Sequence, residues 1–543
     1  MKSAIPLQQF KKCIILFMVG TICSALAYAL YIINPIKIIL EYKMQMAPGS
    51  LLFTLWKKPP IDVYIKVYIF NITNPVEFLN GEEKLKVQEI GPYVYQEFLE
   101  NENITWNDNG TISYSPKRSV FYVPEMSVGD PEVDLINVPN IPMLGISSAL
   151  HDAGFLINYP LARLAHMLDS KPILNITVYD YLWGYEDNLV RLASGIVPNF
   201  INFRKFGLLD RMYDEGSNII SMNVRKNENM TDENGRYLSI STYNGSPGLA
   251  HWGYKTPENN ETIPENTICN RIQGATEGVV FPRNLDKHAV FRVFRKAFCR
   301  PLPIVFRKEV STKSGLPGYL YSLSDDFLDP PEQNPENECY CRKMKKCLKK
   351  GLSDLTPCYY NIPAAVSLPH FLYADPSLLE AVEGLHPDPK KHLSAIILQP
   401  AIGIPIQVNS RIQTNLVMQN TSYNSRIVQF NDLTIPLFWT DLYIPEMPSD
   451  LEFLMKLILQ VMPVVQTVLI CALAIAGVTT FLLSLIGTMW VLNQQQHHLH
   501  NQEDEVLRRD STDLRIPLGY GQYSAIRILP AIKKITSKSD LFG

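Results

Sequence analysis

The spacing of hydrophobic and polar positions divides the chain into two apolar ends and a long mixed centre. Residues 13–33 run for 21 positions without a charge, enough at 1.5 Å per helical residue to cross a ~30 Å hydrocarbon core. Lys11 and Lys12 stand directly before this run, the flank expected on the cytoplasmic side. A second uncharged run covers 457–492, and its most apolar part, 464–491, is long enough to cross with tilt. Two crossings leave 1–12 and 493–543 as cytoplasmic tails and put 34–456 outside. Ala25-Leu26-Ala27 has the form of a signal-peptide cleavage site. The apolar run nevertheless continues to Ile33, so we read an uncleaved anchor, and either reading exports the centre.

The centre carries a strand period. Ile61, Val63, Ile65, Val67 and Ile69 alternate with Asp62, Tyr64, Lys66, Tyr68 and Phe70. Near its end, Ile404, Ile406, Val408, Ile412, Leu416 and Met418 alternate with Gln407, Asn409, Arg411, Gln413, Asn415 and Val417. That predicts one long strand with a single buried face. Leu161, Leu164, Ala165 and Leu168, then Val178, Leu182 and Leu189, recur instead at helical spacing. Residues 142–195 are therefore expected to form a helical insertion in a β-rich body, either packed on it or presenting a binding surface.

Composition narrows the class. The chain has 543 residues, 46% hydrophobic and 19% charged, with a net charge of -3. That excludes a disordered chain or a coiled coil. It offers no basic excess for a nucleic-acid partner. Asn-x-Ser/Thr sequons at Asn71, Asn103, Asn109, Asn175, Asn229, Asn244, Asn260 and Asn420 all fall between the apolar runs, as a glycosylated ectodomain requires.

Of nine cysteines, Cys13, Cys23 and Cys471 lie in the apolar runs. Cys269, Cys299, Cys339, Cys341, Cys347 and Cys358 mark a cysteine-rich region, 269–358. Six cysteines in an oxidising compartment predict three disulfides, with 15 connectivities open. Zinc is the alternative reading for the close trio Cys339, Cys341 and Cys347, without a His-x-x-x-His partner. Residues 325–358 read as a loop. Within it Arg342, Lys343, Lys345, Lys346, Lys349 and Lys350 form a basic run, either a solvated surface or an attractor of anionic head groups.

No P-loop, Gly-x-Gly-x-x-Gly, Gly-x-Ser-x-Gly or His-Glu-x-x-His occurs. No catalytic residue, metal or cofactor is expected. In the C-terminal tail Tyr523-Ser-Ala-Ile526 has the form of a tyrosine sorting signal for a clathrin adaptor, and Gln494-Gln-Gln-His-His498 reads as a disordered polar linker. Ala472, Ala476 and Gly477 are small enough to pack one span against another helix.

At this point the sequence resembles the class B scavenger receptors. The resemblance rests on Val67-Tyr-Ile-Phe-Asn-Ile-Thr-Asn-Pro75, Glu89-Ile-Gly-Pro-Tyr93, Leu182-Trp-Gly-Tyr-Glu186 and Asn334-Pro-Glu-Asn-Glu-Cys-Tyr-Cys341, with Ser367-Leu-Pro-His-Phe-Leu-Tyr-Ala374 and Gly384-Leu-His-Pro387. It implies an α+β fold: a large antiparallel β-barrel-like ectodomain with an apical helical bundle and an internal hydrophobic tunnel, anchored by one transmembrane helix at each end. It also implies disulfides Cys269–Cys339, Cys299–Cys358 and Cys341–Cys347, and it places Lys171 where some relatives carry a basic apical ligand-binding residue. One departure stands out. Where relatives carry Glu-Pro-x-Thr-Gly, this chain reads Gln399-Pro-Ala-Ile-Gly403.

The function so implied is a receptor, not an enzyme, that binds fatty acids, sterol esters or lipoprotein particles at the plasma membrane and delivers lipid through the tunnel. A phagocytic, adhesion or lysosomal trafficking receptor is the alternative. The physics suits a conduit. Each exposed CH₂ costs ~0.8 kcal/mol in water, roughly 12 kcal/mol for a chain of about sixteen carbons.

Overall fold

The computed structural model describes residues 5–196, 203–214, 216–225, 236–257, 263–313, 315–341, 347–421, 423–445 and 447–510. They form two compact units. One comprises the chain ends, up to Pro35 and from Val464 onward; the other is Ile36–Pro463.

In the first unit, helix Ile5–Ile33 packs on helix Met462–Asp510. Small residues set the approach. A Cβ on Gly477 would stand 2.4 Å from Ser24 Oγ, and one on Gly20 would stand 2.9 Å from Thr480 Oγ1. Ser484 Oγ donates to Cys13 O at 2.8 Å, and the Phe17 and Phe481 rings meet edge to face at 5.1 Å. The second helix continues well past the apolar run, to Asp510. Gln494–His498 is thus helical rather than an irregular linker, because neither proline nor glycine interrupts the chain between Thr488 and Asp510.

The second unit is built on one large antiparallel sheet. Its path runs Phe291–Val293, Leu302–Ser311, Pro317–Leu323, Ala395–Gln399, Ile404–Val417, Thr434–Ile444, Val63–Ile72, Leu85–Trp106, Thr111–Tyr122, Ile220–Asn223 and Ile240–Tyr243. Residues 274–276 join the two outer strands. Ile240 N donates to Ala275 O at 2.7 Å, Thr276 N to Arg292 O at 2.7 Å, and Phe294 N to Thr276 O at 2.8 Å. The sheet therefore closes into an irregular barrel, which leaves neither edge unpaired.

The strand period of the sequence survives with one change. Ile65, Val67 and Ile69 are buried as expected, but Phe70, on the opposite face of the strand, is buried as well, its ring meeting that of His370 edge to face at 5.2 Å. Likewise strand Ile404–Val417 buries both faces in its second half. Ala364–Ser367 pairs along one side of it, and Gln413 and Asn415 are enclosed. Their amides are satisfied. Gln413 Nε2 donates to Asn415 Oδ1 at 2.7 Å, and Asn415 Nδ2 to Ser367 Oγ at 3.0 Å.

The helical insertion begins at Ile141, where Asn140 Oδ1 accepts from Met143 N, and holds helices Ile141–Ala149, Phe155–Met167, Val178–Trp183 and Asn188–Ile196. Gly184, at φ +137°, separates the last two. The insertion is not all helix. Strand Ile173–Thr177 pairs with Leu135–Pro139, and a further helix, Leu208–Tyr213, follows beyond residue 195.

Candidate functional site

The inward faces of the barrel strands do not fill it. A cavity of about 490 Å³ remains, within the range of ~300–1,000 Å³ usual for ligand sites. Leu52, Val63, Leu302, Ile304, Val408 and Leu442 are among its mainly apolar walls. Phe98 and Phe121 also line it. They are exposed and meet edge to face at 5.7 Å, so the cavity has an aromatic rim.

Smaller spaces continue it on both sides. One of about 80 Å³ shares Glu97, Glu277, Arg295, Phe298, Ser410 and Leu442 with the large cavity. It shares Met212 and Ala297 with a third, of about 60 Å³. On the other side a wholly apolar space shares Leu55, Ile404 and Leu451 with the large one. Leu40 and Met44 line that end, as do Leu454, Met455, Ile458 and Leu459. In chain order these are the residues next to the two apolar spans. Strands Ile404–Val417 and Thr434–Ile444 run past the three barrel spaces: Val408 and Ile444 at the first, Ser410 and Thr440 at the second, Leu416 and Phe438 at the third.

Between the first two spaces stands a buried ionic network. Glu97 Oε1 accepts from Arg295 Nη2 at 3.2 Å and lies 3.8 Å from Arg118 Nε. Its Oε2 accepts from Tyr213 OH at 2.7 Å. Glu277 pairs with Arg118 at 3.7 Å and accepts from Tyr114 OH. Burial alone would push the Glu97 carboxyl up, but Arg295, Arg118 and the Tyr213 hydroxyl outweigh it and hold it below the ordinary carboxylate range. Burial, then the Glu277 charge, drives the Tyr114 phenol well above its usual value. Sequence reading missed this group entirely. Glu97 and Arg295 are 198 residues apart, and no motif marks either. The available signal is a lone charge on an inward strand position.

A second polar cluster links three of the sequence motifs. His370 Nε2 lies 2.6 Å from Glu89 Oε2, which also accepts from Trp439 Nε1 at 2.7 Å. His370 Nδ1 accepts from His386 N at 3.0 Å, and His392 Nδ1 from Asp388 N at 2.9 Å. Glu89, His370 and His392 are close enough together to hold a metal. The donor set does not suit one. Each imidazole accepts at Nδ1, so its proton sits on Nε2, leaving no lone pair to coordinate. A second close group, His251, Cys299 and Cys358, has both sulfurs in a disulfide.

The residues singled out from sequence are dispersed. Disulfides join Cys269 to Cys339, Cys299 to Cys358 and Cys341 to Cys347. Buried Arg300 braces the region they enclose. It donates to Ser353 Oγ, Phe327 O and Asn337 Oδ1 and lies 3.7 Å over the Tyr340 ring. Asn103, Asn109, Asn175, Asn244 and Asn420 are exposed. Asn71 is partly buried, with Oδ1 accepting from Asn137 N. Asn229 and Asn260, the run Arg342–Lys346, and Tyr523 and Ile526 lie outside the described residues; Lys349 and Lys350 pair with Ser377 and Asp329.

Lys171 is exposed after helix Phe155–Met167 and enters none of the cavities described above. That helix packs Leu164 and Ala165 on the body, yet leaves Phe155, Leu156, Ile157 and Tyr159 exposed, Leu156 to 86%. Gln399 caps a tight turn. Its Oε1 accepts from Ala401 N and Ile402 N, a role an amide oxygen fills as well as a carboxylate.

Comparison with known proteins agrees with this architecture. The CD36 family model matches residues 13–488. Scavenger receptor class B member 1 of Rattus norvegicus is 30% identical over 423 residues, 77% of this chain and 78% of that protein. Lysosome membrane protein 2 of Homo sapiens is 31% identical over 384 residues, 70% of this chain and 74% of that one. With two apolar terminal helices, an antiparallel barrel and three disulfides between them, this two-span membrane receptor belongs to the CD36 family.

Proposed function

We propose that the protein is a cell-surface receptor that takes lipid from water or from lipoprotein particles and passes it through the barrel interior to the membrane. The observation that carries this reading is the apolar cavity of about 490 Å³ and the smaller spaces that continue it. A chain of about sixteen carbons would keep most of its roughly 12 kcal/mol of apolar exposure hidden there. Such transfer makes and breaks no covalent bond, so the activity is that of a receptor rather than an enzyme. The relatives' names, a scavenger receptor and a lysosome membrane protein, agree with a receptor of surface or vesicle membranes.

Native mass spectrometry with lipid extraction on the glycosylated ectodomain, 34–456, tests it. Stoichiometric apolar lipid retained through purification supports the conduit. An ectodomain that is empty and takes up neither fatty acids nor sterol esters overturns it.

A second reading rests on the apolar face of helix Phe155–Met167, with Leu156 and Met167 more than four-fifths exposed. Such a face suits capture of a particle or a luminal protein, with retrieval through Tyr523-Ser-Ala-Ile526 and a clathrin adaptor. Leu156→Asp would then abolish particle uptake without changing lipid content, and Tyr523→Ala would hold the receptor at the surface.

A further inference from the structure

Asn34, at φ +45°, separates helix Ile5–Ile33 from a short helix, Pro35–Lys43. None of the residues of this short helix is fully buried, yet its sequence is sorted by face. Pro35, Ile38, Ile39 and Tyr42 follow at i, i+3, i+4 and i+7, one stripe of a 3.6-residue period. Ile38, Ile39 and Tyr42 are exposed to 52%, 55% and 68%. A second stripe, Leu40 and Met44, lines the wholly apolar space that continues the large cavity. Lys37 and Glu41 make a third, charged stripe. The helix that leads into the second span, Ser449–Lys456, repeats the arrangement. Leu451, Leu454 and Met455 line the same apolar space, while Phe453 is 68% exposed. Lys456 Nζ pairs with Glu452 at 2.8 Å on a side that holds no apolar residue.

Two environments are thereby excluded. Water is unfavourable for the exposed isoleucines and Phe453. The hydrocarbon core is unfavourable for Lys37, Glu41 and Lys43, three charges within one short helix. The boundary between head groups and acyl chains meets both demands, because it buries an apolar stripe, seats a tyrosine ring and lets lysine reach water. Chain order places both helices at that depth. Ile36 comes three residues after Ile33, where the first uncharged run ends, and Phe453 four residues before Leu457, where the second begins.

We propose that helices Pro35–Lys43 and Ser449–Lys456 form a foot that docks on the outer leaflet of the membrane. Ile38, Ile39, Tyr42 and Phe453 enter the acyl boundary, and Lys37 faces water. Because the same two helices wall the apolar space at Leu40 and Met455, docking also sets that space at the boundary. The surface is distinct from the exposed face of helix Phe155–Met167, and it stands whatever the barrel carries.

The test uses the full chain in phosphatidylcholine nanodiscs, with the free cysteines Cys13, Cys23 and Cys471 replaced by serine. Single nitroxide labels are placed through Ile39→Cys, Tyr42→Cys, Phe453→Cys and Lys37→Cys, all at exposed positions that a label can occupy without disturbing the fold. Collision with molecular oxygen, which concentrates among acyl chains, is compared with collision with a water-soluble nickel complex. The ratio of oxygen to nickel collisions should be several-fold higher at Ile39, Tyr42 and Phe453 than at Lys37, at a depth of about 5–10 Å. Adding Ile38→Asn and Ile39→Asn to the Tyr42 label should return that label to water. A water-like ratio at Ile39, Tyr42 or Phe453 overturns the proposal. So does a Lys37 label as deep as that at Ile39, which would make the helix a continuation of the span. A Tyr42 label that keeps its depth beside the two asparagines overturns it as well, since the tether to the span alone would then hold the helix in place. None of these outcomes touches the lipid content of the barrel, so the reading above is tested separately.

Discussion

His370 donates from Nε2 to Glu89 Oε2 across 2.6 Å, joining residues 281 positions apart. The same imidazole accepts His386 N at Nδ1, while its own backbone N–H donates to Gln413 Oε1 at 2.6 Å. His370, Phe371 and Tyr373 all adopt left-handed backbone conformations, φ +54°, +53° and +62°, each costing of order 1–3 kcal/mol unless held by its surroundings. The bonds to Glu89, His386 and Gln413 are what hold them. Three motifs that the sequence shows as separate strings thus meet in one hydrogen-bonded knot.

Removing its centre should be costly. His370→Ala leaves the His386 N–H and the Gln413 loop poorly held and deprives Glu89 of a charge-assisted partner. An unsatisfied buried group costs about 1–3 kcal/mol, so a thermal-unfolding midpoint several degrees lower is expected. His370→Gln, which keeps one donor and one acceptor, should recover part of the loss. A midpoint unchanged in His370→Ala would show that the knot holds nothing together.

The neighbouring imidazole sets a pH dependence. Burial, with the ring of His370 stacked at 4.5 Å, lowers the His392 pKa from 6.5 to about 4. Between these values the unfolded chain binds the proton that the folded one refuses, so this contribution to stability is complete above pH 6.5 and is lost as pH falls towards 4. The Glu89 carboxyl, held below its ordinary value against its own burial by His370 and Trp439, loses its contribution only at still lower pH. The unfolding midpoint should therefore fall between pH 6.5 and pH 5, and His392→Gln should flatten that slope.

The cysteine-rich region offers a ranking. In the chain-entropy description a bridge contributes more as its loop lengthens. Cys269–Cys339 spans 70 residues and Cys341–Cys347 only 6, which corresponds to roughly 4 and roughly 2 kcal/mol. Replacing both cysteines of the first pair by serine should therefore lower the urea midpoint about twice as far as replacing both of the second. The reverse order would mean that packing around Arg300, rather than chain closure, governs this region.

Much of the architecture is legible in the sequence because it rests on local signals. Two uncharged runs, a period of two, and helical spacing after Asn140 each follow from side chains close together in the chain. What is not legible depends on distant partners. Nothing near Gln413 or Asn415 indicates that Ala364–Ser367 will cover their face, and nothing near Glu97 announces Arg295. The cavity is a product of closure: Val63, Ile304 and Val408 read as ordinary core positions, and only the barrel's circumference leaves space between them. Nothing near His370 shows that Glu89 and His392 will stand beside it, or that its hydrogen bonds make it a structural brace.

The membrane unit makes a sharp steric prediction. A side chain at Gly477 would collide with Ser24 Oγ at 2.4 Å, and the backbone oxygen of Gly20 lies 3.3 Å from the same point. In lipid no hydrophobic force compensates for a lost close approach, since the tails are as apolar as leucine. Gly477→Leu should therefore separate the two helices. A Cβ at Gly487 would stand 2.8 Å from Cys13 Sγ, so in Gly487→Cys oxidation should cross-link the two ends of the chain, and adding Gly477→Leu should suppress that cross-link.

The conduit itself can be tested by filling it. Val408 is buried in strand Ile404–Val417 and lines the large cavity. Val408→Trp places an aromatic ring into space that is empty of protein, so the overpacking penalty of about 1–3 kcal/mol seen in solid cores should be reduced. The unfolding midpoint is expected to change little, while lipid retained by the ectodomain falls several-fold. Substitution at Ile69, whose buried side chain belongs to the solid core and lines none of these spaces, should do the opposite: Ile69→Trp lowers stability and leaves the lipid content of the folded fraction unchanged. A barrel that keeps its full lipid complement with tryptophan at position 408 would place the cargo elsewhere, and the exposed apolar face of helix Phe155–Met167 would become the surface to test.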